Sequence, residues 1–160
     1  MVAPPLREPV AAYVALGANL GDPIQAVQNA LTQLDQLPHT RLVSASALYE
    51  TAPHQAQGPM YVNAVAHLDT RLNAPDLLQA LQALELAAGR VRSHTNAPRT
   101  LDLDVLFYGD AQISSPQLTV PHPRWGQRAF VLWPLQDVAP DKVSPAMLAA
   151  VADQPITRLA

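Results

Sequence analysis

Apolar positions along the chain fall into two alternating periods. Ala11–Leu16 is an unbroken apolar run of the length a buried strand needs. Asp22-Pro23 then supplies a cap followed by proline at the first helical position, and Ile24, Val27, Leu31 and Leu34 recur at helical spacing until Pro38 stops them. Thr40–Tyr49 is mixed and reads as a strand. Thr51–Met60 holds Pro53, Gly58 and Pro59 and reads as an exposed loop, while Tyr61–Leu68 reads as another strand. A second helix is announced by Asn73 or Ala74 as cap, Pro75 at its start and Asp76 toward its positive end. Leu77, Leu81, Leu84 and Ala88 form its apolar stripe, and Gly89 is free to take the left-handed position that closes it. After the polar loop Arg90–Pro98, Leu101–Tyr108 alternates Leu and Asp before turning continuously apolar, which predicts a strand with one special end.

The predicted order is β-α-β-β-α-β, an α+β chain with a ferredoxin-like antiparallel sheet and helices packed on one face of it. Residues from Gly109 onward are expected to add a C-terminal hairpin and a short helix, and Phe130–Leu135 stays ambiguous because Pro134 breaks either period. No internal repeat or low-complexity linker interrupts the 160 residues, so one domain over 1–160 is expected.

Composition narrows the class. With 49% hydrophobic and 14% charged residues the chain can bury a real core, which excludes intrinsic disorder. No apolar run approaches the roughly 20 residues that span a bilayer, so no membrane association is expected. The Val10–Leu16 run behind Arg7 faintly imitates a signal peptide, but Glu8 and Pro9 interrupt it and a buried first strand explains it better. The absence of cysteine excludes disulfides, thiolate metal sites and a cysteine nucleophile, and suits a reducing cytoplasm. A net charge of −3 argues against nucleic acid as a partner.

The charge distribution carries more than the total. Nine of the ten basic residues are arginine, and Arg90, Arg92, Arg99, Arg124 and Arg128 cluster in a window whose acids are Asp102, Asp104 and Asp110. The planar guanidinium fork matches phosphate oxygens, so a local anion site is expected there. Asp102 and Asp104, two apart on a strand, leave the same face about 7 Å apart along the chain, with Leu101 and Leu103 pointing into the core. Two converging carboxylates repel unless a cation sits between them, and their hard oxygens suit Mg²⁺ alongside substrate phosphates. Two acids on a solvated strand face are the bland alternative, but three arginines bracketing them favour a metal–polyphosphate site. His122 with the two aspartates imitates a transition-metal set, although a phosphate contact fits its arginine-rich surroundings better. His54 and His94 are loop histidines without a readable partner. No Gly-x-x-x-x-Gly-Lys loop is present, so this is not a P-loop.

Several blocks together resemble a known family. Tyr13-Val14-Ala15-Leu16-Gly17-Ala18-Asn19-Leu20-Gly21-Asp22, Gly89-Arg90-Val91-Arg92, Pro98-Arg99-Thr100-Leu101-Asp102-Leu103-Asp104 and Val120-Pro121-His122-Pro123-Arg124 look like 6-hydroxymethyl-7,8-dihydropterin pyrophosphokinase, with Arg128-Ala129-Phe130 and Trp133-Pro134-Leu135 continuing the match. The resemblance implies pyrophosphate transfer from ATP, as co-substrate, to the hydroxymethyl group of a reduced pterin, with release of AMP, in folate biosynthesis. It implies that Asp102 and Asp104 hold two Mg²⁺ ions and that Arg90 and Arg99 stabilise the transferring group. Gln82, Glu85, Arg92, Thr119, His122 and Arg128 match contacts to ATP or its phosphates. Asn63 matches the pterin-reading asparagine, Tyr61 and Phe130 the aromatic pair that stacks the ring, and Thr51 lies beside them.

A monomer acting on two small molecules is expected. The turn at Gly17–Asp22 and the loops Thr51–Met60 and Arg92–Pro98 are the candidate lids. One departure stands out: His94-Thr95-Asn96-Ala97 occupies the stretch where many members carry an Arg-Trp pair, for which Arg124 and Trp125 are candidate substitutes. Two other classes share parts of this pattern: a Mg²⁺-dependent nucleotidyltransferase, and a ferredoxin-like module that binds nucleotide without turnover.

Overall fold

The structure is a computed structural model that describes residues 7–52, 59–89 and 101–159. Its elements run β1 (Val10–Ala18), α1 (Pro23–Asp35), β2 (Thr40–Ala45), β3 (Tyr49–Thr51), β4 (Tyr61–Thr70), α2 (Ala74–Ala87), β5 (Asp102–Tyr108), β6 (Ile113–Ser114), β7 (Thr119–Val120), α3 (Ala129–Val138), α4 (Pro145–Ala150) and β8 (Thr157–Arg158). Both predicted helix starts appear as capping geometry. Asp22 Oδ1 accepts from Gln25 N–H at 3.1 Å, and Asn73 Oδ1 from Asp76 N–H at 2.8 Å, with proline at the first helical position of α1 (Pro23) and the second of α2 (Pro75). Gly89 closes the second helix with φ +94°.

The main sheet runs β5-β1-β4-β3-β8, with β2 sharing the β4 edge, and every pairing is antiparallel. In the predicted order these are the fourth, first, third and second strands, the ferredoxin-like arrangement. The expected strand over Thr40–Tyr49 is split, however. Ser46 stands at the break: its N–H donates to Val65 O while its Oγ accepts from Val65 N–H, both at 2.9 Å. A side chain thus replaces one ladder partner, and pairing resumes three residues later at Tyr49. The first strand in turn runs through Gly17 and Ala18, which the sequence places in the following turn.

Alternation divides the core in two. Val14, Leu16, Leu103 and Val105 face one side and pack with Val27 and Leu34 of α1 and Leu77 and Leu81 of α2. Val65, Leu106 and Phe107 face the other side and pack with Val131, Leu132 and Leu135. Helices therefore cover both faces, not one. The ambiguous Phe130–Leu135 segment is the middle of α3, with Pro134 inside the helix. That proline removes a helical N–H at a cost of about 3 kcal/mol, offset by burying Val131, Leu132 and Leu135 on the sheet. The expected hairpin is β6–β7, and the short helix is α4.

Candidate active site

Antiparallel register places residues from separate strands in one row on the α3 face. Asp102 of β5 pairs with Gly17 of β1, Gly17 pairs with Asn63 of β4, and Asn63 pairs with Tyr49 of β3. The next row carries Asp104 opposite Ala15, and Ala15 opposite Val65. Directly paired residues share a face, so both aspartates and Asn63 look out on the same side, two strand spacings or about 10 Å apart. Gly17 between them has no side chain and leaves an open floor. A methyl built on it would stand 3.5 Å from Asn63 Oδ1, which shows where that oxygen points.

The Asn63 amide has a fixed orientation. Its Nδ2 donates to Thr51 Oγ1 at 2.9 Å in a buried contact, so Oδ1 is left looking across Gly17. The pair thus offers an acceptor to the N–H edge of a heterocycle. Thr51 ends β3 rather than opening a loop, and Tyr61 stands opposite it in the register. Tyr61 and Phe130, the latter in the first turn of α3, are both half-buried.

At the other end of the row, the segment after β7 brings its polar groups to β5. His122 N–H donates to Leu106 O at 2.9 Å, and His122 Nδ1 accepts from Arg124 N–H at 3.1 Å. With Nδ1 occupied as an acceptor, the neutral ring carries its proton on Nε2 and presents a donor. Burial, followed by the charges of Arg128 and Arg124, lowers the His122 pKa below 6.5, with Asp102 opposing. The ring is therefore neutral near pH 7. Arg128 lies beside the α3 N-terminus with its guanidinium carbon 5.3 Å from the Phe130 ring centroid.

Glu85 occupies a different kind of place. It is 3% exposed on α2, and its Oε2 accepts from Leu103 N–H at 2.8 Å. Among the described strands β5 lies at the sheet edge, where this carboxylate satisfies a backbone N–H and ties α2 to the residue between the two aspartates. Gln82, one turn earlier, is exposed and lines a cleft of about 400 Å³ with Leu78, Gln79, Ile113, Gln117 and Leu118. Thr119 is exposed on β7, in the hairpin that forms one wall of that cleft. Arg90, Arg92 and Arg99 lie outside the described residues, as do His54, His94, the Arg92–Pro98 loop and residues 53–58 of the other candidate lid.

Asp102 and Asp104 suit a Mg²⁺ ion that takes its remaining ligands from phosphate and water. Among the described residues no three His, Cys, Asp or Glu side chains gather closely enough to hold a metal by themselves, which weighs against the three-ligand set with His122. Trp125 stacks edge-on against Phe107, ring centroids 5.0 Å apart, and is committed to the α3-side core rather than to a closing loop. A cleft of similar size, lined by His39, Arg41, Asp69 and Arg71, lies at the far end of the sheet. Asp69 is six residues along β4 from Asn63, about 20 Å away.

Sequence reading missed Gly17 as part of the site floor, although a glycine inside a strand is a recognised mark of close ligand approach. It also passed over Asp137 and Gln154. Gln154 Oε1 accepts from Ala129 N–H at 2.8 Å and its amide donates to Gln127 O at 3.0 Å, holding the α3 N-terminus where Arg128 and Phe130 sit.

Residues 13–140 match the family model described as 7,8-dihydro-6-hydroxymethylpterin-pyrophosphokinase (HPPK). The chain is 49% identical over 154 residues to the 2-amino-4-hydroxy-6-hydroxymethyldihydropteridine pyrophosphokinase of Pseudomonas aeruginosa, covering 92% of this chain and 95% of that one. It is 44% identical to the protein of the same name from Haemophilus influenzae, covering 85% and 86% of the two chains. Among solved structures, a Plasmodium falciparum HPPK-DHPS chain superposes with TM-score 0.67 at 14% identity, over 84% of this chain and 40% of that one.

Proposed function

The chain belongs to the 7,8-dihydro-6-hydroxymethylpterin-pyrophosphokinase family, and from that premise we propose that it transfers pyrophosphate from ATP to the hydroxymethyl group of 6-hydroxymethyl-7,8-dihydropterin, releasing AMP, with the Asp102–Gly17–Asn63 row as the floor on which both substrates meet. The row is the observation that carries the reading. It offers hard carboxylate oxygens at one end, a hydrogen-bonding amide at the other, and no side chain between.

In the reaction the pterin hydroxyl oxygen bonds to the β-phosphorus of ATP. The bond from that phosphorus to the α,β-bridging oxygen breaks, AMP departs with it, and the hydroxyl proton is released. Little covalent chemistry is asked of the protein, so positioning and charge stabilisation do the work. Asn63 Oδ1, held by Thr51, accepts from the pterin N–H edge, and Tyr61 and Phe130 supply aromatic surface for the ring. His122 donates its Nε2–H to a phosphate oxygen, and Arg128 adds positive charge from the start of α3. Gln82 and Thr119 contact the nucleotide from α2 and the hairpin, while Glu85 keeps β5 in place for it. The roles of Arg90 and Arg99 at the transferring group, and of Arg92 on the phosphates, follow from family membership. Two Mg²⁺ ions held by Asp102 and Asp104 with the triphosphate would neutralise phosphate charge and ease attack at phosphorus.

The same reading makes the protein a cytoplasmic monomer with ATP and a reduced pterin as its partners, without nucleic acid or membrane. No described helix is long and apolar enough to cross a membrane. Product analysis tests the reaction. With ATP, Mg²⁺ and the pterin, AMP is expected only when the pterin is present. Release of pyrophosphate would identify a nucleotidyltransferase instead, and absence of any nucleotide product would leave a binding module.

A further inference from the structure

We infer that Asp137, at the far end of α3 from Phe130, is a positioning residue for the pterin end of the site, acting through Tyr49 and β3; the inference rests on the pyrophosphokinase reading above. α3 carries Phe130 in its first turn and Asp137 in its last, seven residues or about 10 Å apart along the axis. Asp137 Oδ2 accepts two hydrogen bonds from the strand region that begins the pterin side, from Tyr49 O–H at 2.8 Å and from Ala47 N–H at 3.1 Å. Tyr49 is paired with Asn63, and two residues later Thr51 orients the Asn63 amide. A continuous path therefore runs from the α3 carboxylate through Tyr49 and the β3 backbone to the amide that reads the ring.

β3 needs such a hold. It has three residues, follows the Ser46 break, and among the described residues is flanked on its outer edge only by the two residues of β8. Few ladder bonds fix its height above the sheet. Asp137 bolts it to the same helix that presents Phe130, so one carboxylate sets the spacing between the stacking ring and the Thr51–Asn63 pair. Tyr49 is 5% exposed, and its hydroxyl would lose this acceptor without Asp137. Burial together with the bond to Asp137 pushes the Tyr49 pKa up to about 12, against the opposing charge of Arg158, so the phenol itself reports the contact.

Steady-state kinetics of Asp137→Ala test the assignment, with wild-type enzyme alongside. The pterin KM is expected to rise about tenfold while the ATP KM stays within about twofold. Asp137→Asn keeps an oxygen that can accept both bonds and should restore most of the pterin KM. Tyr49→Phe keeps the Ala47 bond and should fall between, which provides a second variant if Asp137→Ala folds poorly. The Tyr49 phenolate titration, followed by ultraviolet absorbance, should move down in pH in Asp137→Ala. Equal rises in both KM values, or a lower Tm with both unchanged, would overturn the inference by showing a purely structural bolt. Wild-type enzyme that makes no pterin-dependent AMP would overturn the activity reading instead, and the control separates the two failures.

Discussion

The two faces of the sheet are built from the same strands and do different work. On the α1–α2 face, β1 and β5 present Val14, Leu16, Leu103 and Val105 to Leu34, Leu77 and Leu81. On the α3 face the same two strands present Gly17, Asp102 and Asp104 at one end and Tyr13, Leu106 and Phe107 at the other. One face is a hydrophobic contact, crossed by the buried Glu85 carboxylate that holds Leu103 N–H. The other is apolar only where α3 covers it, and its polar end is where substrates are proposed to bind. Strand alternation lets a single heptapeptide, Asp102–Tyr108, anchor the fold with one set of residues and meet ligand with the next. Rigidity on one face is thus transmitted directly to the carboxylates on the other.

Substitutions on the two faces should therefore separate activity from stability. Asp102→Ala is expected to cut kcat/KM by about a thousandfold while changing Tm less than truncation of a core leucine does. Steady-state assays beside thermal melts check this, and a large loss of Tm would merge the two faces. Leu81→Ala should do the reverse. Loss of that fully buried side chain costs about 2–5 kcal/mol of stability, with kcat per folded molecule preserved below the new Tm. A smaller effect is expected at the row itself. Gly17→Ala should fold normally, because its added methyl meets only ordinary contacts, yet raise the pterin KM by about tenfold by filling the floor beside Asn63.

The smallest effect is electrostatic and belongs to the polar end alone. His122 titrates below 6.5 because of burial and two arginines, so Arg128→Ala should raise its pKa and Asp102→Ala should lower it further, as read by NMR titration. The sign for stability follows. The unfolded chain takes up this proton first, so the contribution is complete above pH 6.5 and is lost as pH falls through 6.5 toward the folded pKa. His67, lowered by burial, adds to the same window, with Asp69 opposing and Arg41 reinforcing.

Local chemistry made much of this legible in the sequence. Asp22-Pro23 and Asn73-Ala74-Pro75 mark helix starts because capping and proline act within one turn. The Leu-Asp alternation of 101–104 marks a two-faced strand end because side-chain period is a local property. What stayed hidden depends on partners far along the chain. Ser46 breaks a strand only because its hydroxyl finds Val65, and Asp137 matters only through Tyr49, 88 residues before it. The Gly17–Asn63 pairing needs the register, which composition does not reveal. α3 was obscured by Pro134, whose local penalty is outweighed by burial against the sheet.

The row makes a spatial claim that one measurement reaches directly. With Mn²⁺ in place of Mg²⁺, a non-transferable ATP analogue and 6-hydroxymethylpterin bound together, paramagnetic broadening of the pterin hydroxymethyl protons reports their distance from the metal. A row two strand spacings wide predicts strong broadening from within about 10 Å, lost when Asp102 and Asp104 are both replaced by Asn. Sharp pterin signals in the fully bound complex would contradict it, by placing the metal and the pterin at separate sites.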